Sequence, residues 1–269
     1  MVQAGSAPGI AAMGIEGERG VSAIFALTSS ESKRLIAKGV AALPEVQRAY
    51  RQGWLVIGRG TTNAYVAEEI LGVKVPKYNY AAGIICDGML TVTKREERLL
   101  PYVLYKGQPM DMTTDDAAKQ FGADDVFIKG ANAVDPEGNA GVLVADDKGG
   151  TIGGALGCLA ARGSYLIVPV GLEKLIPSVP EAARRCGIKR FKYALGEPLG
   201  LVPLVAAKVI TEVQALAILT GVKATHVASG GINGSEGAVT LVIEGTDEQV
   251  QRAWELVRSI KGEPPVVRP

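Results

Sequence analysis

The run Val56-Ile57-Gly58-Arg59-Gly60-Thr61-Thr62-Asn63 begins as an apolar strand, turns on glycine and threonine, and enters a helical pattern near Ala64. A strand delivered into a helix through so short a turn points to layered α/β packing, in which the two elements bury their apolar faces against each other. The turn also has a chemical meaning. Free backbone N–H groups, threonine hydroxyls and the positive end of a helix dipole converge on one point, the arrangement by which proteins hold phosphates and other anions. Gly58, Arg59, Gly60, Thr61, Thr62 and Asn63 are therefore candidate ligand-binding residues. The alternative is an ordinary strand-to-helix connection.

Strand-like and helix-like segments alternate along the chain, which predicts an α/β protein: an open, mostly parallel, Rossmann-like sheet with helices on both faces. Thr28, Ser29 and Ser30 are placed to cap a helix from Glu31, and Pro44 divides it from a second helix ending near Gly53. A strand over 54–57 and a helix over 64–71 follow. The Asp87-Gly88 pair predicts a hairpin over 83–93, and Lys106-Gly107 marks a further turn. Thr113 and Thr114 precede Asp115-Asp116 and an apolar helical face, giving a capped helix before a strand over 125–129. Residues 165–170 are apolar throughout, as a central strand buried on both faces requires.

Polar residues collect where these strands end. Ligands in open α/β sheets gather at the carboxyl ends of strands, so the loop over 128–139 belongs on the same rim as the first turn, with Gly130, Asn132 and Asp135 as candidates. Asp135 fits a turn equally well, because Pro136 and Gly138 follow it and Asx side chains bond their own backbone. Lys148-Gly149-Gly150-Thr151-Ile152-Gly153-Gly154 is a second Gly-rich helix entry; Gly149, Gly150, Thr151 and Gly153 either present N–H groups to an anion or allow close helix packing. The 165–170 strand runs into Glu173 and Lys174. There a carboxylate can act as base or nucleophile beside Lys174 and Lys148, or the pair is an exposed helix start.

Composition limits what such a rim serves. The chain has 269 residues, 47% hydrophobic, with 29 basic against 28 acidic residues and a formal net charge of +1. Without a basic block, nucleic acid is not the expected partner. Cys86, Cys158 and Cys186 are widely spaced, so neither a disulfide framework nor a zinc site is expected; no metal is expected, and the sequence leaves any cofactor unknown. Residues 1–20 are Gly-rich and lack the pattern of a signal peptide, which predicts a loosely ordered tail on a cytoplasmic protein, and no apolar run is long enough for a membrane span.

Composition changes after Gly187. Strands over 191–195, 224–229 and 238–244, helices over 209–219 and 246–260, and a closing strand over 265–267 predict a C-terminal ferredoxin-like α+β domain. Three parts result: a tail (1–20), an α/β domain (21–188) and an α+β domain (189–269), the last with a sheet face suited to homo-oligomer formation. The loop over 230–237 is a flap or a hairpin tip. His226, the only histidine, lies within a strand and is read as structural.

Over roughly 32–183, the order of these motifs resembles the superfamily of ribose-5-phosphate isomerase, glucosamine-6-phosphate deaminase and the CoA transferases (NagB/RpiA/CoA transferase-like). Gly58, Gly60, Thr61 and Thr62 are similar to the isomerase's phosphate-binding turn. The segment 130–177 also resembles the lactate-utilisation branch, through its Gly130-Ala131-Asn132-Ala133 loop and Glu173-Lys174-Leu175-Ile176-Pro177 ending. The resemblance implies binding of a small anionic metabolite, a sugar phosphate or CoA ester. It does not carry the reaction across. Where the isomerase has an acidic loop this chain has Lys129, Gly130, Ala131 and Asn132. Where its catalytic glutamate is expected stand Leu156, Gly157, Cys158 and Leu159. Asp135, Lys148, Glu173 and Lys174 are the candidate catalytic residues for an isomerase- or transferase-like enzyme. The alternative is a non-catalytic metabolite sensor.

Overall fold

The computed structural model describes residues 20–269; the tail expected over 1–20 lies outside them except for Gly20. In chain order the elements are β1 (Val21–Leu27), α1 (Ser29–Ala41), α2 (Pro44–Gln52), β2 (Trp54–Ile57), α3 (Thr61–Leu71), β3 (Gly83–Cys86), β4 (Met89–Val92), β5 (Tyr102–Tyr105) and β6 (Gln108–Pro109). Then follow α4 (Thr114–Ala118), β7 (Val126–Ile128), β8 (Ala133–Val134), β9 (Ala140–Val144), α5 (Gly150–Arg162), β10 (Tyr165–Pro169) and α6 (Val179–Arg185). The chain closes with β11 (Gly200–Leu204), β12 (Lys208–Ile210), α7 (Glu212–Thr220), β13 (Lys223–Ser229), β14 (Val239–Gly245) and α8 (Asp247–Ile260). This is a mixed α/β architecture.

Its main sheet has six strands in the order β12-β10-β7-β2-β5-β6. The first four are mutually parallel and β5 and β6 add antiparallel. Strand periodicity explains why both faces are covered. Leu55, Ile57, Val126 and Ile128 point into a core with α1 and α3, whereas Val56 and Phe127 point the other way into a core with α4 and α5. The first of these cores continues without a break to Leu241, Ile243, Val250 and Val257 of the C-terminal elements.

Strands from both sides of residue 188 share sheets. β12 pairs with β10, β11 pairs with β9, and β1 pairs along its whole length with β14, from Val21↔Gly245 to Leu27↔Val239. β13 and β14 pair as expected, with a bulge between His226 and Ala228. The strand expected over 191–195 does not form; the segment lacks a continuous partner, and only Gly196 bridges to Leu90. The closing strand over 265–267 is also absent, because β1 occupies that edge of β14.

Helix starts follow the capping chemistry. Thr28 with Glu31, Thr211 with Gln214 and Thr246 with Gln249 form reciprocal capping boxes, each hydroxyl contributing about 1 kcal/mol. Thr211 moves the helix expected from Val209 to Glu212, leaving Val209 in β12. Gly60 is the N-cap of α3, so Thr61, Thr62 and Asn63 form the helix's first turn rather than the loop before it. Both hairpin turns are as expected, with positive φ at Asp87-Gly88 and at Lys106-Gly107. No helix among the described residues is long and apolar enough to cross a membrane.

Candidate functional site

The carboxyl ends of β2, β7 and β10 open onto a cavity of about 580 Å³. It receives Arg59, Gly60, Thr61 and Thr62 from the turn after β2, Gly130 and Asn132 from the loop after β7, Gly149, Gly150 and Thr151 from the entry to α5, and Glu173 and Lys174 from the turn after β10. Four loops far apart in sequence thus meet at one point, because three parallel strands end on the same rim.

The remaining candidates lie elsewhere, each for a physical reason. Asp135 is buried, and its carboxylate accepts from the N–H of Asn139 at 2.9 Å, the side chain of Asn139 at 3.0 Å and the N–H of Val179 at 2.9 Å. Burial pushes its carboxyl up, but these donors outweigh burial and hold it below the ordinary range. Asp135 therefore ties its loop to α6 and does not face the cavity. Lys148 is exposed outside the lining. At Gly153 an added Cβ would overlap the Lys148 carbonyl, so that glycine serves close packing. Asn63 is fully buried and donates to the carbonyls of Gly58 at 2.7 Å and Ile128 at 3.3 Å, clamping the ends of β2 and β7. Gly58 forms the floor beneath a lysine: a Cβ there would come within 3.1 Å of the Ile128 oxygen and 3.3 Å of Lys129 Cδ.

The two Gly-rich helix starts differ. At α5, Gly149 and Gly150 both have positive φ, and the Asp146 carboxylate accepts from the N–H groups of Lys148 at 2.8 Å and Gly150 at 3.1 Å. That end already holds a carboxylate of its own chain, which stays below the ordinary range through those two bonds. No side chain caps α3. Its positive end faces the cavity open.

Five basic side chains line the cavity, Lys33, Arg59, Arg98, Lys129 and Lys174, against two carboxylates, Asp146 and Glu173. Three of the five, Lys33, Arg98 and Lys129, were not among the expected site residues. The one ion pair among these groups joins Lys33 Nζ to Glu173 Oε1 at 3.4 Å, with both side chains close to nine-tenths buried. Lys33 also donates to Ser29, and Glu173 Oε2 is buried without a hydrogen-bond partner, over Gly171 where a Cβ would overlap it. Among the described residues no carboxylate lies within 4.0 Å of the charged nitrogens of Arg59, Arg98, Lys129 or Lys174.

These cations raise one another's cost. Burial first and then Arg98 push Arg59 below its ordinary value, and its Nε is buried without a partner. Lys174 donates to the Ala131 carbonyl at 3.0 Å; burial pushes its ammonium down while Glu173 and Glu212 pull against that. Lys129, half-buried at its surface but surrounded by protein, is pushed down to about 8 by burial, then by Lys174 and Arg59.

Behind the cavity wall lies Glu212, the first residue of α7 and fully buried. It accepts from the N–H of Leu172 at 2.9 and 3.2 Å, which pins the turn bearing Glu173. Burial, then the charge of Glu173, push its carboxyl up to about 7.

A second cavity of about 590 Å³ adjoins the first and shares Ser29, Lys33, Thr61, Ile84 and Ile85 with it. Asn233 and Gly234 of the 230–237 loop line it. His226 is remote from both, bonded through Nε2 to Ala228 and Ser229. Among the described residues no group of three or more His, Cys, Asp or Glu side chains is arranged to hold a metal ion. Comparison with family models, with curated proteins and with solved structures finds no match for this chain.

Proposed function

We propose that the chain binds a small phosphorylated or CoA-linked metabolite in the rim cavity, with its anionic group against Arg59, Arg98 and the open N-terminus of α3. The observation that carries this reading is the set of four cations around one cavity, Arg59, Arg98, Lys129 and Lys174, with no carboxylate of the described residues within 4.0 Å of their charged nitrogens. All four are half-buried, Arg98 also donating to Thr93, and a cation drawn partly out of water without a paired carboxylate loses hydration with little return. A bound anion supplies the missing partner, and the uncapped first turn of an eleven-residue helix adds N–H donors to it. The parallel order β12-β10-β7-β2 supports a Rossmann-like sheet, whose ligands sit at this end of the strands. A cavity of about 580 Å³ suits a metabolite of this size.

Thermal unfolding with inorganic phosphate, ribose 5-phosphate, CoA and unphosphorylated ribose tests the reading. A ligand at a hundred times its Kd stabilises by about 2.7 kcal/mol. The anionic compounds are expected to raise Tm and ribose is not. Arg59→Ala should abolish the effect, and Lys148→Ala, at an exposed position outside the cavity, should leave it intact. Stabilisation that survives Arg59→Ala combined with Thr61→Ala would remove the site from this cavity.

A further inference from the structure

Lys129 differs from the other cations of the cavity. It follows the last residue of β7, and its own N–H donates to the Ile167 carbonyl at 3.0 Å, so the neighbouring strand fixes its backbone. The stem lies over Gly58, whose missing Cβ leaves room for Cδ. Its ammonium donates only to the Gly130 carbonyl, at 3.2 Å. Lys33 is paired with Glu173, and Lys174 has Glu173 and Glu212 as attractive neighbours. The charged groups acting on Lys129 are the cations Lys174 and Arg59, while Lys33, Arg98, Glu173 and Asp146 complete the charged lining.

We propose that Lys129 is an amine nucleophile that forms an imine with the carbonyl carbon of an anionic aldehyde or ketone held in this cavity. The proposal rests on the anion-binding reading for the placement of its substrate. Burial and two neighbouring cations bring the Lys129 amine to about 8, so a substantial fraction is neutral near physiological pH. Lysines are activated as nucleophiles in this way, by desolvation beside another cation. In the reaction the nitrogen lone pair forms the C–N bond as the carbonyl π pair moves onto oxygen. The two nitrogen-bound protons pass to that oxygen, which leaves as water as the C=N bond forms. Solvent entering the cavity carries those protons, because Asp146 is committed to its turn, one oxygen of Glu173 is paired with Lys33 and the other is buried against Gly171. Arg59 and Arg98 hold the anionic end.

The probe is pyridoxal 5′-phosphate, an aldehyde that carries its own phosphate, added to the full chain below stoichiometry. Sodium borohydride then delivers hydride to the C=N bond, and peptide mass mapping locates the resulting secondary amine. At about pH 7.5 a lysine titrating near 8 holds on the order of a hundred times more neutral amine than an ordinary one. Labelling of Lys129 should therefore exceed that of exposed Lys94, Lys119 and Lys189 by about tenfold or more, rise through about pH 8 and fall when inorganic phosphate competes. Lys129→Arg, which keeps the cation and tests folding, should lose the adduct and still gain stability from phosphate. An adduct spread evenly over exposed lysines, or absent from Lys129, overturns the proposal. If phosphate still stabilises that protein, the anion site stands alone. If phosphate has no effect but Lys129 is labelled selectively, the nucleophile stands and the anion-binding reading falls.

Discussion

Replacing Glu212 by glutamine tests the electrostatics behind the cavity. The glutamine oxygen can still accept the Leu172 N–H, so the variant imitates the protonated acid at every pH. In the fold the carboxyl titrates at about 7, against an ordinary 4.5. Because the folded value is the higher one, its contribution to stability is complete below about 4.5 and is lost as pH rises to about 7. At about 1.4 kcal/mol per pH unit, that interval amounts to about 3 kcal/mol. Urea unfolding of both proteins from pH 4.5 to 8.5 separates this group from all others, since only the difference between them matters. Wild type should lose about 3 kcal/mol relative to Glu212→Gln across the interval, with most of the change below pH 7 and a flat difference above. Glu173→Gln in the wild-type background should move the inflection to lower pH, because the charge of Glu173 is the second cause of the displacement. Parallel stability curves for wild type and Glu212→Gln would refute the reasoning: the buried carboxyl would then ionise as if in water.

Two further substitutions separate the site from its scaffold. Gly58→Ala places a Cβ against the Ile128 oxygen and the Lys129 stem; overpacking of this kind costs about 1–3 kcal/mol, read by urea unfolding. It should also diminish pyridoxal 5′-phosphate labelling of Lys129, whereas unchanged labelling would mean that Gly58 does not position the lysine. Asp135→Ala removes the acceptor of two backbone N–H groups and one side-chain amide, and should destabilise by about 1–3 kcal/mol without altering the Tm gain from phosphate. Loss of that gain in a folded variant would return Asp135 to the site.

Local chemistry made much of the architecture legible. Thr28 and Thr246 announce their helices because a hydroxyl three residues before Glu31 or Gln249 completes a capping box, and Asp87-Gly88 announces its hairpin because both residues adopt positive φ. What was not legible depends on partners distant in the chain. Residues 191–195 carry strand-forming side chains but find no continuous neighbour, while Val21–Leu27 is a strand because β14 lies more than 200 residues away. The rim turns were visible as glycine-rich strand ends. Lys33 and Arg98 were not, since neither belongs to a glycine-rich turn at the end of a strand. Glu212 was hidden for a related reason. A helix read from Val209 puts it at the end of the first turn, and only the cap at Thr211 makes it the first helical residue, whose carboxylate meets Leu172.

The cavity's cations divide by what each can do with its proton. A guanidinium keeps its charge at any pH the fold survives and presents a planar fork to a phosphate, so in the proposed site Arg59 and Arg98 would hold the anion without being altered by it. A lysine amine responds to its surroundings, and an anion seated directly on Lys129 would restore its proton and remove its nucleophilicity. Binding and imine formation are therefore compatible only if the anionic end and the reactive carbonyl occupy different parts of the cavity. The geometry permits this: the α3 start and Arg59 belong to the turn after β2, while Lys129 follows the neighbouring strand β7. It follows that inorganic phosphate should slow labelling of Lys129 by occupying the anion subsite and raise the pH midpoint of the residual reaction only modestly above 8, because an anion on Arg59 offsets one neighbouring cation while burial, the larger cause, is unchanged. A midpoint driven well above that value at saturating phosphate would place the anion on the lysine itself, and Lys129 would then be one more holder of the anion rather than a nucleophile.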